Sequence, residues 1–180
     1  MAKKSKQSFE ELNLKRLKQM IQIQKYFNAE KSESLLFMAF GLFFMLFSIY
    51  CYAILKDNFW KGLAIPLLFF SVIQMVIGST IYYRSPKDKL KVENMLNNEP
   101  QKIQSEEIPR MKIVLKNFIY YRYFEIVMIA IGIVLLYSFP DYTFWKGLGI
   151  GLFVQCLLLL LLDFFAEKRG LTYLKYLQNL

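Results

Sequence analysis

The sequence predicts an all-α integral membrane protein, a four-helix bundle built from a parallel tandem repeat of two-span units with cytoplasmic amphipathic helices. Three observations support this prediction. Hydrophobic residues make up 56% of the chain, whereas soluble domains usually carry roughly 45–50%. The excess falls in four apolar stretches, each long enough to cross a bilayer. A six-residue motif also occurs at the start of the second stretch and again at the start of the fourth. The two copies are Asn58-Phe59-Trp60-Lys61-Gly62-Leu63 and Thr143-Phe144-Trp145-Lys146-Gly147-Leu148.

The two copies of the motif lie 85 positions apart, which indicates one tandem duplication. Each copy starts with a residue type that favours a helix N-cap. Because each unit contains an even number of spans, both units point the same way, as in a parallel repeat. We therefore divide the chain into a first unit at 1–84, a cytoplasmic connector at 85–118 and a second unit at 119–180.

The first two apolar stretches, Ser34–Leu55 and Gly62–Tyr83, contain no charged residue and are each 22 residues long. A transmembrane helix needs about 20 apolar residues, so both qualify. The other two stretches, Phe118–Phe139 and Phe144–Phe165, each contain two charged residues. They can still span if these charges lie near an interface.

The net charge of +9 is unevenly distributed. Most basic residues lie before the first span, between the second and third spans, and after the fourth, while the two short loops on the other side contain few. We predict that the protein lies in the inner membrane of the cell. The positive-inside rule then places both termini and the connector in the cytoplasm. Acidic residues are mixed into the basic segments, so the charge does not indicate nucleic-acid binding.

Polar segments flank the spans and have helical periodicity. Phe9–Phe27 is an amphipathic helix that either lies on the inner leaflet or packs under the bundle. Lys89–Leu96 is a short amphipathic helix, and Pro109 starts one unbroken helix that runs to Tyr137. Gly170 is a predicted C-cap before an amphipathic tail.

Several side chains fit a lipid interface. Trp60 and Trp145 are predicted interface anchors, and Lys61 and Lys146 can extend toward water. Gly147 and Gly151 form a G-x-x-x-G pattern, which allows close helix packing either within the chain or between copies.

Buried polar residues are the candidate functional groups. Counting along the helices puts Glu125 and Asp163 at nearly the same depth, roughly 22–24 Å below the loops at 1.5 Å per residue. Arg122 lies on the same helix face as Glu125. This polar membrane layer is either an interfacial ion pair or a site that handles a cation, a proton or a partner. Gln74, deeper in the second span, is expected to hydrogen-bond a neighbouring helix.

The composition argues against an enzyme. There is no histidine, so histidine catalysis and histidine metal ligands are excluded. The two cysteines, Cys51 and Cys156, are predicted at different depths, so we expect no shared metal and no disulfide. We predict no catalytic residues, no metal site and no cofactor.

Two functions remain open at this point. The first is a non-catalytic membrane protein that acts by oligomerisation or as an accessory subunit of a membrane partner. The alternative is a small oligomeric ion channel or transporter whose cytoplasmic mouth carries the polar layer. For both functions the expected partners are the lipid bilayer and either further copies of this chain or another membrane protein.

Overall fold

The computed structural model describes residues 2–180, with the side chains of residues 10, 11 and 13–180. It is all-helical, which confirms the predicted class. The four long helices are α1 (Ala2–Tyr50), α2 (Asn58–Asn98), α3 (Ile108–Ser138) and α4 (Phe144–Gln178). Short π-helical turns at Cys51–Leu55 and Ile103–Glu107 follow α1 and precede α3.

All four helices are long and apolar enough to cross a membrane. The chain therefore has four candidate spans, which indicates a multi-pass membrane protein. We call residues 34–55, 62–83, 118–139 and 144–165 the apolar layer. Residues 10–33, 85–117 and 168–180 form the charged head at one end of the helices, and the two short loops lie at the other end.

The predicted helix at Phe9–Phe27 is not a separate element, because α1 continues without a break from Ala2 into the apolar layer. The residues between Phe27 and Ser34 are Asn28, Ala29, Glu30, Lys31, Ser32 and Glu33. None of them is a proline or glycine, so nothing in this stretch interrupts a helix. At about 1.5 Å per residue, α1 is about 73 Å long. Its first part projects away from the apolar layer and is not set at an angle to the spans.

The predicted helix at Lys89–Leu96 is likewise the end of α2, which runs through Pro66 and Pro86. A proline removes one backbone hydrogen bond without necessarily ending a helix that is held by its neighbours. Here the hydroxyl of Ser85 donates a 2.9 Å hydrogen bond to the carbonyl of Phe27. This contact ties α2 to α1 beside Pro86.

Gly170 does not cap α4 but lies inside it, buried against Leu115 and Met111 of α3. The helix continues because residues 171–178 pack in the head, so a glycine there serves close packing. The unbroken helix predicted from Pro109 to Tyr137 is confirmed by α3.

The helices pack as two antiparallel hairpins. α1 packs along α2 and α3 packs along α4, while α2 and α4 join the hairpins at the centre. The two outer helices leave much of their surface uncovered, and α3 is the least covered in its apolar part.

The head has its own hydrophobic core. Nine buried side chains from all four helices and the turn before α3 form one cluster. They are Ile23, Tyr26, Phe27, Val92, Met95, Ile103, Met111, Tyr173 and Leu177. The segments outside the apolar layer therefore form a packed helical unit.

Candidate functional site

The contact between α2 and α4 begins at the repeated six-residue motif. A Cβ atom added to Gly62 would collide with the backbone carbonyl of Phe144, and one added to Gly147 would collide with the carbonyl of Phe59. Gly151 is equally constrained, since its added Cβ would lie 2.6 Å from Cγ of Pro66. Gly147 and Gly151 thus pack within the chain, as one of the two alternatives predicted.

A glutamine pair lies deeper in the same interface. Nε2 of Gln155 donates a 2.9 Å hydrogen bond to Oε1 of Gln74, and both side chains are fully buried. The expected helix-to-helix hydrogen bond of Gln74 is confirmed. Nε2 of Gln74 and Oε1 of Gln155 have no hydrogen-bond partner within the described residues.

The polar layer lies between α3 and α4. Glu125 is 4% exposed, and the carboxyl groups of Glu125 and Asp163 are within hydrogen-bonding reach of each other. Oε2 of Glu125 has no hydrogen-bond partner in the described part of the chain. Arg122 of the same helix also lies close enough to act on the charge of Glu125. Glu125 and Asp163, predicted at equal depth, are thus brought together.

Arg122 makes a salt bridge with Glu167 of α4, a different partner from the one that the sequence suggested. Because α3 and α4 are antiparallel, this pair lies one helical turn closer to the head than the two carboxyl groups. The α3–α4 interface therefore holds one neutralised ion pair next to two like-charged groups. Two neighbouring carboxylates in an apolar layer favour a cation or a proton between them.

The predicted interface residues lie at the loop end. Trp145 stacks on Phe139, Trp60 packs edge-on against Phe59, and Lys146 pairs with Asp141. Trp60 and Lys61 are partly covered, while Trp145 is about half exposed. Thr143 caps α4 by accepting a hydrogen bond from the backbone N–H of Lys146, whereas in the first copy Asp57, not Asn58, is the N-cap residue.

The head contains a buried aromatic and ionic cluster. The rings of Tyr26 and Tyr173 stack with centroids 3.9 Å apart, and the guanidinium of Arg169 lies 5.6 Å from the Tyr26 ring. Arg169 also pairs with Glu33 of α1. These contacts join α1 to α4, and burial together with nearby Glu30 raises the pKa of the Tyr26 phenol.

A second chain of charges continues from this cluster. Arg110 donates two hydrogen bonds, of 2.6 and 2.7 Å, to the buried carboxylate of Glu107. The Tyr173 hydroxyl donates to the same carboxylate at 3.3 Å. Asp88 lies between Arg110 at 3.8 Å and Arg84 at 3.1 Å. Burial raises the pKa of Tyr173, and the neighbouring Glu107 raises it further.

Sequence reasoning missed several of these groups. Gln155 interrupts an apolar run just as Gln74 does, so its polarity was a usable signal. Glu167 and Glu107 carried no such signal, because glutamates in charged segments are ordinarily solvated. The Tyr26–Tyr173 stack depends on two helices meeting in the head, and local periodicity does not reveal that.

The described residues contain no group of three or more histidine, cysteine, aspartate or glutamate side chains that could hold a metal ion. What the arrangement offers chemically is proton or cation exchange at Glu125 and Asp163, and binding through exposed surfaces. Comparison with protein-family models, curated proteins and solved structures gave no match for this chain.

Proposed function

We propose that this protein is a non-catalytic multi-pass membrane protein that acts by association, either as an accessory subunit or in an oligomer. The charged head then lies in the cytoplasm with both termini, since it carries most of the basic residues. The 85-residue offset maps Gly62 onto Gly147 and Pro66 onto Gly151. Gly62 meets Phe144 and Gly147 meets Phe59, so the two copies make matching contacts. These contacts support a duplicated two-span unit whose copies meet at α2 and α4.

One observation carries the proposal. The first part of α1 lies in the head, and Leu14, Leu17 and Ile21 are each more than half exposed there. In lipid such side chains need no partner, but these lie on the water side of the apolar layer. Leu14 is about 30 Å from Ser34 along the helix axis. Exposed aliphatic side chains at that distance from lipid mark a surface for another protein.

The close packing of α2 on α4 favours this function over transport through a single copy. Backbone contact at Gly62 and Gly147 leaves no space between the two central helices at that level. Two grooves of about 430 and 490 Å³ lie instead at the far end of the head. A binding surface is therefore better supported than an internal passage.

The test begins with topology and then removes the projecting segment. Cysteines introduced at exposed head positions should react with a membrane-impermeant reagent only after the cells are opened. Deletion of residues 2–18 should leave the head core intact, because that core begins at Ile23. The shortened protein should keep its thermal stability in detergent but lose the larger complex that the full chain forms in native membranes. A complex of unchanged size would contradict association through α1.

Oε2 of Glu125 has no hydrogen-bond partner in the part of the chain that the structure describes. This favours a second candidate, a proton or cation path between α3 and α4. This function requires Glu125→Gln to abolish flux into proteoliposomes, with Gln104→Leu, at an exposed glutamine of the head, as the control that should keep its flux. A flux that survives Glu125→Gln would exclude it.

A further inference from the structure

The exposed aliphatic side chains of α1 form a continuous stripe. Leu14, Leu17 and Ile21 are 53%, 55% and 51% exposed. Their spacing of three and four residues places them on one face of the helix. Ile23 and Phe27, which anchor α1 in the head core, lie on the opposite face. The stripe therefore points away from the head of its own chain.

One edge of this stripe is basic. With Leu14 and Ile21 at heptad position a and Leu17 at d, Lys18 and Lys25 occupy position e, directly beside the apolar seam. Both lysines are exposed. The other edge carries Asn13 and Met20 at position g, which have no charge. A partner that fits must therefore be apolar along the seam and acidic along one edge.

A groove continues the same surface onto α4. This groove, of about 430 Å³, is lined from α1 by Lys15, Lys18 and Ile21, and its far wall contains Tyr176 and Leu180. The Tyr176 hydroxyl is buried and has no hydrogen-bond partner within the described residues. A carboxylate entering the groove would meet the two ammonium groups of Lys15 and Lys18.

We propose that this surface binds an amphipathic helix of another protein, with aliphatic residues three and four apart and aspartate or glutamate facing Lys15, Lys18 and Lys25. The inference rests on the proposed function, because it requires the head to lie in water. Pairing of α1 with such a helix would bury the stripe and neutralise the lysines.

A second copy of this chain fits less well. Two copies in one membrane have the same topology, so their α1 helices run parallel. In a parallel pair the e position of one helix faces the g position of the other. Lys18 and Lys25 would then face Asn13 and Met20, which supply no counter-charge. Selectivity for an acidic partner follows from the same lysines.

The experiment uses the full chain in nanodiscs and two fluorescent synthetic peptides of about three heptads. Both peptides have leucine at positions a and d; one has glutamate at e and g, and the other has lysine. Fluorescence anisotropy should show micromolar binding of the acidic peptide and at least tenfold weaker binding of the basic one. Leu17→Gln should weaken acidic-peptide binding at least tenfold. The matched control is Leu90→Gln, because Leu90 of α2 is 64% exposed in the head but lies outside the stripe.

Charge reversal sharpens the test. The triple variant Lys15→Glu, Lys18→Glu and Lys25→Glu should reverse the preference, so that the basic peptide binds and the acidic peptide does not. Equal binding of the two peptides, or binding that survives Leu17→Gln, would overturn the proposal. So would a Leu14→Cys variant that cross-links readily to a second copy in liposomes, since the stripe would then be a homodimer contact.

The outcome is separable from failure of the proposed topology. Nanodiscs expose both ends of the protein, so peptide binding tests the surface alone. A fluorophore attached through Leu14→Cys and quenched by nitroxides in the lipid tails would place the stripe in lipid, which would contradict the proposed function itself. Binding of the acidic peptide without such quenching supports both.

Discussion

The side-chain amide of Gln155 donates a 2.9 Å hydrogen bond to the side-chain oxygen of Gln74, and both residues are fully buried between α4 and α2. The pair lies in the apolar layer, on the same interface as Gly62 and Gly147. Close backbone packing at the loop end thus continues into a polar contact deeper down. An amide without its partner at this depth would have no water to bond.

The first prediction concerns this pair. Gln74→Leu alone should destabilise the protein because it leaves the amide of Gln155 without a partner. The double variant Gln74→Leu and Gln155→Leu should cost less than the sum of the two single changes. We expect a coupling of about 0.6–1.7 kcal/mol, the size found for hydrogen bonds within membranes. Thermal unfolding in detergent, followed by circular dichroism, measures all four proteins.

The control for this cycle is Gln104→Leu, which alters an exposed glutamine of the head. It should leave the unfolding temperature within error of the parent. Strictly additive costs for Gln74→Leu and Gln155→Leu would show that the hydrogen bond contributes no stability of its own.

The sequence predicted the elements better than their connections. The four apolar stretches correctly located the apolar parts of the four long helices, and α3 was anticipated from Pro109 to Tyr137. The predictions of a separate helix at Lys89–Leu96 and of a C-cap at Gly170 were wrong, because tertiary contacts in the head keep α2 and α4 helical there. Local residue patterns report intrinsic helix preference. The contacts of Ser85 with Phe27 and of Leu115 with Gly170 instead join residues that are far apart in the sequence.

The candidate site was predicted in the same uneven way. Helical rise alone placed Glu125 and Asp163 at one depth, and the structure brings them together. The helical rise does not reveal which face of α3 packs against α4. Arg122 was therefore expected to pair with Glu125, whereas it pairs with Glu167. Its partner Glu167 lies four residues beyond Asp163 on α4, which is one helical turn.

The second prediction tests the backbone contact of α2 with α4. Gly62→Ala should destabilise the protein strongly, by about 3 kcal/mol or more, because the new methyl group meets the rigid carbonyl of Phe144. Gly170→Ala is the matched control. Its methyl group would lie 3.2 Å from Cδ2 of Leu115, a flexible side chain that can move aside. Equal losses of unfolding temperature for the two variants would contradict this account.

The third prediction contrasts two glutamates at the α3–α4 interface, Glu125 inside the apolar layer and Glu167 just outside it. Glu125→Gln should stabilise the protein by about 1 kcal/mol, because the new amide can donate a hydrogen bond to Asp163 without the proton or cation that two neighbouring carboxylates require. Glu167→Gln should destabilise it by about 1 kcal/mol, because Arg122 loses its counter-charge although 41% of its side chain is exposed. The two substitutions change the same atoms, so each controls the other. Unfolding in a detergent series gives both values, and shifts of the same sign would contradict the assignment of Arg122 to Glu167.

The fourth prediction concerns alkaline pH and the two stacked tyrosines of the head. Burial raises the pKa of both Tyr26 and Tyr173 above the usual value of about 10. The folded head therefore holds phenol protons that the unfolded chain releases. Their stabilising contribution is fully present below about pH 10 and is lost as the pH rises toward the folded-state values.

The expected slope is a loss of about 1.4 kcal/mol per pH unit for each buried tyrosine. Tyr173→Phe removes one ionisable phenol, so its unfolding free energy should fall less steeply between about pH 10 and 11. Tyr83→Phe is the control, because it removes an exposed phenol that is not part of the buried head core. Chemical unfolding at each pH, with phenolate absorbance as a second readout, distinguishes titration of Tyr173 from a simple loss of its hydrogen bond to Glu107. A loss of that hydrogen bond alone would lower stability equally at pH 8 and pH 11, and a parallel offset of this kind would contradict the prediction.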